Sequence, residues 1–287
     1  MHRRSPRLLG RALVACVPVL GLALAFGPAA GASTAAASPS ARAAAAARTA
    51  LEHLAIGQHS SDQRVLRQGE VAPKVKGLTQ VQSGNWSGYA DTGSGYSTVT
   101  GNWTEPSASC TSTESLAAFW VGIDGYSSDS VEQDGTLIEC YGGTAYYYTW
   151  WEMYPSNDIQ VVGDTLRPGD SISASVVRSG TSYTLKVTDS SRSGNSFSTT
   201  RSGSFADSSA EWIAEAPSGS SGVYPLSHFS TFSLSSATVK TTSKSGVISS
   251  FTDDEITMVD SSGNVEAQPG SLNSSGNAFS VTWKRST

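Results

Sequence analysis

The sequence has few of the side chains that most hydrolytic and metal centres use. Its 287 residues include three cysteines and four histidines. Only one histidine, His228, lies beyond residue 83, and no Gly-x-Ser-x-Gly motif occurs, so a Ser-His-Asp hydrolase is not expected. A zinc site lacks ligands, because the chain has no His-Glu-x-x-His motif. We therefore predict no metal and no other cofactor, and we interpret His228 as a structural residue.

No hydrophobic run reaches the length that a membrane-spanning helix needs, which is about 20 residues. The longest run, ALVACVPVLGLALAFG, follows the basic segment MHRRSPRLLGR and precedes the small-residue pattern of Ala30, Gly31 and Ala32. This arrangement is typical of a signal peptide with its cleavage site. We predict that residues 1–32 are a signal peptide, and that the protein is secreted and has no membrane anchor.

Cysteine is scarce enough for the pairing to be simple. Removal of the signal peptide leaves Cys110 and Cys140. In an oxidising compartment these two residues predict one disulfide. A link over such a loop stabilises the folded state by roughly 3 to 4 kcal/mol in chain-entropy models, so a structural role is sufficient for both cysteines.

Basic residues are rare in most of the chain. Residues 1–80 contain ten Lys and Arg against three Asp and Glu, whereas residues 81–287 contain nine against twenty-one, giving formal charges of +7 and −12. The acidic body argues against a nucleic-acid partner. We predict that residues 33–82 are a prosegment that is attracted to this body and inhibits it. A flexible N-terminal arm is the alternative.

Long amphipathic helices are absent from residues 83–287. Short runs rich in strand-forming residues, such as YSTVTGNWTEP and TSYTLKVTD, alternate with turns of Gly, Ser, Asp and Asn. About 200 residues of this kind predict a single all-β domain, a β-sandwich or jelly roll of two antiparallel sheets. We expect this domain, residues 83–287, to be monomeric.

Three predicted strands carry carboxylates on one side, because side chains alternate between the two faces of a strand. In the segment AEWIAE this side holds Glu211, Ile213 and Glu215. In FWVGID it holds Trp120, Gly122 and Asp124. In YYYTWWEMY it holds Tyr146, Tyr148, Trp150, Glu152 and Tyr154. The opposite sides, which we assign to the hydrophobic core, hold Ala210, Trp212 and Ala214; Phe119, Val121 and Ile123; and Tyr147, Thr149, Trp151 and Met153. An aromatic face with embedded carboxylates predicts a substrate cleft on a concave sheet. A sheet surface with scattered aromatic residues is the alternative.

One Asp-Thr-Gly triplet, at residues 91–93, matches the pattern of the aspartic peptidases. Their mechanism needs two carboxylates that share a proton. No second triplet is present in the chain. We therefore interpret the segment ADTGSG as a hairpin turn, for which Asp and Gly are favoured residues.

Carboxylates and one carboxamide remain as candidates for chemistry: Asp124, Gln133, Glu152 and Glu211. Glu152 and Glu211 could form the acid and base of a jelly-roll glycoside hydrolase. A glutamate with a glutamine could instead hydrolyse peptides, the carboxylate activating water and the amide stabilising the oxyanion. A non-catalytic carbohydrate-binding sandwich would display the same aromatic residues. The residues alone leave these three functions open.

Six short segments occur in order along the domain: GNWSGYA, VTGNWTEP, AAFWVGIDG, EQDGTLIECY, WWEMYP and AEWIAEAP. Through these segments, which span most of residues 84–283, the sequence resembles the glutamic peptidases, the eqolisin family of secreted, acid-acting endopeptidases. The resemblance implies a β-sandwich, polypeptide substrates and a prosegment that is removed on activation.

The same resemblance implies a catalytic dyad of Gln133 and Glu211. It also places Trp120, Asp124, Trp150 and Glu152 in or beside the substrate cleft. Glu215 matches no catalytic position, and its role stays open at this stage. Trp151 stands where the family pattern has a tyrosine, which leaves the subsite preference open.

Overall fold

The computed structural model describes residues 78–219 and 221–286. The predicted signal peptide and the predicted prosegment up to residue 77 lie outside this part of the chain. The described part consists of strands, turns and two single-turn 3₁₀ helices, Ser193–Asn195 and Ile248–Ser250. Within it, no helix is both long enough and apolar enough to cross a membrane.

The strands are numbered in chain order. They are β1 (Leu78–Ser83), β2 (Trp86–Thr92), β3 (Tyr96–Thr104), β4 (Ala108–Ser109), β5 (Ser115–Asp124), β6 (Val131–Tyr141), β7 (Thr144–Tyr154), β8 (Asn157–Gly163), β9 (Ser171–Ser179), β10 (Ser182–Asp189), β11 (Phe197–Ser202), β12 (Ser209–Glu215), β13 (Ser218–Gly219), β14 (Gly222–Val223), β15 (His228–Phe229), β16 (Phe232–Thr241), β17 (Ser245–Gly246), β18 (Thr252–Val259), β19 (Val265–Pro269) and β20 (Phe279–Trp283).

Hydrogen bonds join most of these strands into one long sheet that folds back on itself. The strand order is β11-β10-β9-β3-β16-β20-β19-β18-β2-β12-β5-β6-β7-β8, with β1 beside β18 and β17 beside β16. Strands of the first half pack on strands of the second, β3 against β5 and β12, and β9 and β10 against β6. The result is a two-layered, largely antiparallel β-sandwich, which confirms the predicted fold class.

The main hydrophobic core lies between the two layers. It contains the side chains that strand alternation assigned to the core: Phe119, Val121, Ile123, Trp151, Met153, Ala210, Trp212 and Ala214. Residues assigned to the opposite face, including Trp120, Tyr148, Trp150 and Ile213, form a second buried cluster. The predicted alternation of β5, β7 and β12 is therefore confirmed, and it gives the sheet of β2, β12, β5, β6 and β7 two distinct faces.

The segment after Asp91 is not a hairpin turn, and that interpretation was wrong. Strand β2 pairs with β12 and β18, whereas β3 pairs with β9 and β16. Both edges of β2 are already occupied, so the chain crosses to the other layer instead of pairing back. Gly95 has a φ of 72°, which glycine adopts without strain, and this helps the chain to turn.

Two further features concern the predicted disulfide and the start of the domain. Cys110 and Cys140 form the predicted disulfide, with their Cα atoms 5.3 Å apart. Strand β1 pairs in parallel with β18, from Leu78 opposite Asp253 to Ser83 opposite Met258. Residues 78–82, at the end of the predicted prosegment, therefore lie within a strand of the sheet. The boundary at residue 83 stays a prediction.

Candidate active site

One row of residues crosses adjacent strands of the sheet and brings the predicted dyad together. Residues directly opposite one another, strand by strand, are Asp254, Ala90, Glu211, Gly122, Gln133 and Glu152. We call these six residues the site row, and the face that carries their side chains the site face. Glu211 and Gln133 are separated by a single strand, so their Cα atoms are about 10 Å apart at the usual strand spacing.

Gly122 is the residue of the site row that lies between Glu211 and Gln133. A Cβ atom at this position would lie 3.2 Å from Cβ of Gln133 and 2.9 Å from Cζ3 of Trp120. Because Gly122 has no side chain, the indole of Trp120 can lie over its backbone, between the strands that carry Glu211 and Gln133. Sequence reasoning placed Gly122 on the correct face but missed this role, which depends on its neighbours across the sheet.

The amide of Gln133 is held by its other neighbour in the row. Its Nε2 donates a hydrogen bond to Oε2 of Glu152 at 2.8 Å. This bond fixes the orientation of the Gln133 amide plane within the row. Glu152, predicted as a cleft residue, is therefore in direct contact with one member of the predicted dyad.

Glu211 is fully buried, and its environment is acidic. Burial raises the pKa of Glu211 well above its ordinary value; the Ser209 hydroxyl opposes this, while Asp124, Glu132 and Asp91 add to it. Burial therefore favours the protonated form of Glu211. Because burial is the main cause, opening the site face to solvent is expected to bring this pKa back toward its ordinary value.

The pKa of Glu152 is raised for the same reason as that of Glu211. Burial raises the pKa of Glu152 well above its ordinary value, the hydrogen bond from Gln133 lowers it, and Glu215 and Asp158 raise it further. A protonated carboxyl group still accepts a hydrogen bond through its carbonyl oxygen. The contact with Gln133 is therefore compatible with a neutral Glu152 in acid.

Two tryptophans lie in the next row on the site face. Trp120 and Trp150 are each opposite Gly135, which lies between them on β6. A Cβ at Gly135 would lie 2.8 Å from Cβ of Trp120 and 2.0 Å from the Phe119 carbonyl oxygen, so the strands require glycine there. The predicted cleft residues Trp120 and Trp150 thus form an aromatic band beside the site row.

Asp124 and Tyr126, at the end of β5 and just after it, tie neighbouring segments together beside the site row. Asp124 ends β5 with a φ of 69°, and its carboxylate accepts hydrogen bonds from the backbone N–H of Asp207 (2.8 Å) and from the backbone N–H and Oγ of Ser208 (2.7 and 2.8 Å). Asp124 therefore holds the segment that leads into β12 and Glu211. The Tyr126 hydroxyl donates to Oδ2 of Asp254 at 2.5 Å. A direct role of Asp124 toward substrate stays a prediction.

Asp91 lies outside the site row. It is opposite Ala210 on β12, so its side chain is on the core face while Glu211 is on the site face. Burial, followed by the nearby charge of Asp253, raises the pKa of Asp91 to about 9. His228 is exposed and stacks on Trp283 at 3.9 Å. Among residues 78–219 and 221–286, no group of three His, Cys, Asp or Glu side chains could hold a metal ion.

Comparison with known proteins places these residues in a family context. The family model described as the Peptidase A4 family matches residues 84–283. Aspergillopepsin-2 of Aspergillus niger is 30% identical over 167 residues, which are 50% of this chain and 59% of that protein. Scytalidopepsin B of Scytalidium lignicola is 37% identical over 137 residues, which are 46% of this chain and 51% of that protein. The chain thus spans between half and three fifths of these two relatives.

A solved structure extends the similarity over the whole sandwich. The crystal structure of scytalido-glutamic peptidase with a transition-state analogue inhibitor has a TM-score of 0.60 and 27% sequence identity. The alignment covers 70% of this chain and 98% of that one.

Proposed function

The chain belongs to the Peptidase A4 family, the eqolisins, and from this premise we propose that it is a secreted, acid-acting glutamic endopeptidase. The observation that carries the proposal is the site row, in which Glu211 and Gln133 lie on either side of Gly122. A carboxyl group and an amide separated by a residue without a side chain can address the same water molecule and the same peptide carbonyl group. The activity, the substrates and the secretion are all part of the proposal.

Each step of peptide hydrolysis then has a group in the row. The carboxylate of Glu211 takes a proton from water while the water oxygen bonds to the carbonyl carbon of the substrate. An N–H of Gln133 donates a hydrogen bond to the oxyanion that forms. Protonated Glu211 next gives its proton to the amide nitrogen as the C–N bond breaks. Gln133 does not titrate, so it can act at a pH where a second carboxylate would be neutral.

The neighbours of the dyad have supporting roles in this proposal. Glu152 keeps the Gln133 amide in one orientation through the 2.8 Å hydrogen bond. Trp120 and Trp150 offer flat apolar surfaces for the side chains of a polypeptide. Asp124 ties β5 to the segment that enters β12, which fixes Glu211 relative to Gly122.

The register argues against a glycoside hydrolase that uses Glu152 and Glu211. Two strands, β5 and β6, lie between the strands that carry Glu211 and Glu152. The Cα atoms of these residues are therefore about 14 Å apart, which is three times the usual strand spacing. Gln133 lies between them and is hydrogen-bonded to Glu152. A glycosidase needs room for the sugar between its two carboxyl groups, and here Gln133 occupies the row between Glu211 and Glu152. The geometry favours the peptidase.

We expect the protein to release peptides from an unfolded protein at about pH 3 to 4, near the ordinary pKa of a carboxyl group. The measurement is mass spectrometry of the products, run in parallel with a reducing-sugar assay on soluble polysaccharides. The Glu211→Gln variant, purified in the same way, controls for contaminating peptidases. Release of sugars would support the glycosidase instead, and neither product, with retained binding to polysaccharide, would support a carbohydrate-binding domain.

The predicted prosegment gives the proposed enzyme a means of control. In the 287-residue chain the side chains of Glu211, Gln133 and Glu152 are 0 to 1% exposed, so the site is closed. Residues 33–77 lie outside the described part, and the support for an inhibitory role is the charge difference of +7 against −12. Acid would weaken this attraction by protonating carboxylates of the body.

A synthetic peptide of residues 33–82 is therefore expected to bind and inhibit the processed enzyme, and to bind more weakly at about pH 3 than at about pH 6, on either side of the carboxyl pKa. Fluorescence anisotropy of the labelled peptide and the rate of substrate cleavage measure the two effects. The matched control is the same peptide with Arg64, Arg67, Lys74 and Lys76 replaced by glutamine. Absence of inhibition at every pH would contradict the prosegment role.

A further inference from the structure

Glu215 is a buried carboxyl group on the site face that the proposed hydrolysis does not use. Its exposed fraction is 0%, and it lies on the same side of β12 as Glu211. Its Oε2 accepts a hydrogen bond from Nε1 of Trp120 at 2.8 Å, and its Oε1 accepts one from Nδ2 of Asn85 at 3.3 Å. A buried carboxyl group is costly unless it is paired, so this site is built to hold one.

The donors are themselves fixed in place. The Asn85 backbone carbonyl accepts a hydrogen bond from the N–H of Ala216 at 2.9 Å, and its Oδ1 accepts one from Oγ of Ser83 at 3.2 Å. The indole of Trp120 packs edge-to-face on Trp86, with ring centroids 4.9 Å apart. The Trp120 ring is therefore located by one hydrogen bond and one aromatic contact.

The other edge of this ring borders the space between the proposed catalytic groups. Nε1 and Cζ3 are on opposite edges of an indole. While Nε1 of Trp120 bonds to Glu215, Cζ3 would be 2.9 Å from a Cβ at Gly122. Gly122 separates Glu211 from Gln133 in the site row. The position of the indole thus sets how much room lies above Gly122.

We propose that Glu215 is a positioning residue for the dyad: through the hydrogen bond to Trp120 it holds the indole beside Gly122 and keeps the space between Glu211 and Gln133 at the size that water and a peptide carbonyl need. This inference rests on the proposed function. A displacement of about 1 Å at a reacting centre can cost about 100-fold in rate, so a distant carboxyl group can matter for turnover.

The test is a double-mutant cycle of Glu215→Leu and Trp120→Phe. Leucine is similar in size and accepts no hydrogen bond, and phenylalanine lacks the indole N–H. Each single variant is expected to lower kcat by about 10- to 100-fold and to change KM by less than about threefold, as expected when orientation is lost. Because both changes break the same link, the double variant is expected to be no more than about twofold below the worse single variant.

Glu255→Leu is the matched control. Glu255 is also buried and accepts a hydrogen bond from an aromatic residue, the Tyr89 hydroxyl at 3.1 Å, but both side chains lie on the core face. Both leucine variants are expected to lower the melting temperature, and only Glu215→Leu is expected to lower kcat of the folded enzyme. Glu215→Gln keeps an acceptor for the indole and is expected to recover most of the loss. If the leucine variant does not fold, Glu215→Met, whose thioether is only a weak acceptor, replaces it in the cycle.

Two kinetic results would overturn the proposal: kcat above half of the wild-type value in Glu215→Leu, or losses that multiply in the double variant. The near-UV circular dichroism of Trp120, taken as wild type minus Trp120→Phe, gives a readout that does not need activity. This signal is expected to change in Glu215→Leu and to stay unchanged in Glu255→Leu. If the wild type cleaves no peptide, the proposed function fails, while an unaltered Trp120 signal in Glu215→Leu defeats the positioning role separately.

Discussion

Replacement of Glu211 by glutamine is expected to lower kcat by more than about 100-fold and to leave the fold intact, because general acid–base catalysis usually contributes at least this much. Glutamine has nearly the same shape as glutamate, so it fits the fully buried site. It can neither take a proton from water nor return one to the leaving amine. Steady-state kinetics on a peptide substrate in acid, with circular dichroism to verify folding, measure the effect.

Gln133→Ala provides the comparison within the dyad. Loss of one oxyanion donor costs about 100- to 1,000-fold in turnover in other hydrolases, so this variant is expected to be severely impaired yet folded. Asp91→Asn is the matched control, because Asp91 is a buried carboxyl group on the neighbouring strand with its side chain on the opposite face. It is expected to keep near-normal activity. A folded Glu211→Gln variant with more than about a tenth of wild-type turnover would rule out the general-base role.

The raised pKa of Glu211 makes the proposed catalysis depend on whether the site face is buried or accessible to water. A protonated Glu211 cannot act as a base, and burial is the main reason that its pKa is high. We therefore expect the buried site of the 287-residue chain to be inactive. We expect activity to appear only when the site face becomes accessible to water, which lowers the pKa of Glu211 toward the acidic range.

The sequence was sufficient to predict which residues share a face, because alternation in a strand is a local property. The sides of β5, β7 and β12 were predicted correctly in this way, and the face with Glu211 and Trp120 followed. The disulfide followed from the small number of cysteines. The pairing of Gln133 with Glu211 was implied by the family resemblance, since no local pattern brings these two residues together.

Register between distant strands could not be predicted from the sequence. Gly122 acquires its role only because β5 lies between β12 and β6 with these three residues in line. Glu215 acquires its role because Asn85, which is 130 residues earlier in the chain, donates a hydrogen bond to it from beside the neighbouring strand β2. The turn after Asp91 was misinterpreted for the same reason: its residues favour a turn but do not specify whether the next strand pairs back or joins the other layer.

Buried carboxyl groups also lie between the two layers, away from the site row. Burial, followed by the charge of Asp124, raises the pKa of Glu132 to about 10. Burial raises the pKa of Glu105 to about 8, against hydrogen bonds from Thr136 and Trp103. Burial also raises the pKa of Asp134 well above its ordinary value. These groups are neutral in the folded protein over a range of pH in which they would be ionised in the unfolded chain.

We therefore expect the protein to be most stable in acid and to lose stability as the pH rises. Below about pH 4 both states are protonated, and this stability is fully present. Between about pH 4 and the raised pKa values the folded state binds more protons than the unfolded state, so the free energy of unfolding falls by up to about 1.4 kcal/mol per pH unit for each group. Domains have only about 5 to 15 kcal/mol of stability, so a few such groups are sufficient to unfold the protein at mildly alkaline pH.

Urea or thermal unfolding of the Glu211→Gln protein, which avoids self-digestion, tests this between about pH 3 and pH 9, the interval over which the buried carboxyl groups ionise. Adding Glu132→Gln removes one titrating group from the core and is expected to increase stability near pH 8 but not near pH 3. Asp129→Asn, at an exposed position, is expected to leave the profile unchanged. A midpoint that stays constant or rises between pH 5 and pH 8 would show that these carboxyl groups do not limit stability. If the midpoint falls as the pH rises and Glu132→Gln reduces this fall, the greater stability in acid is caused by the buried carboxyl groups. This cause is independent of the pH dependence of catalysis.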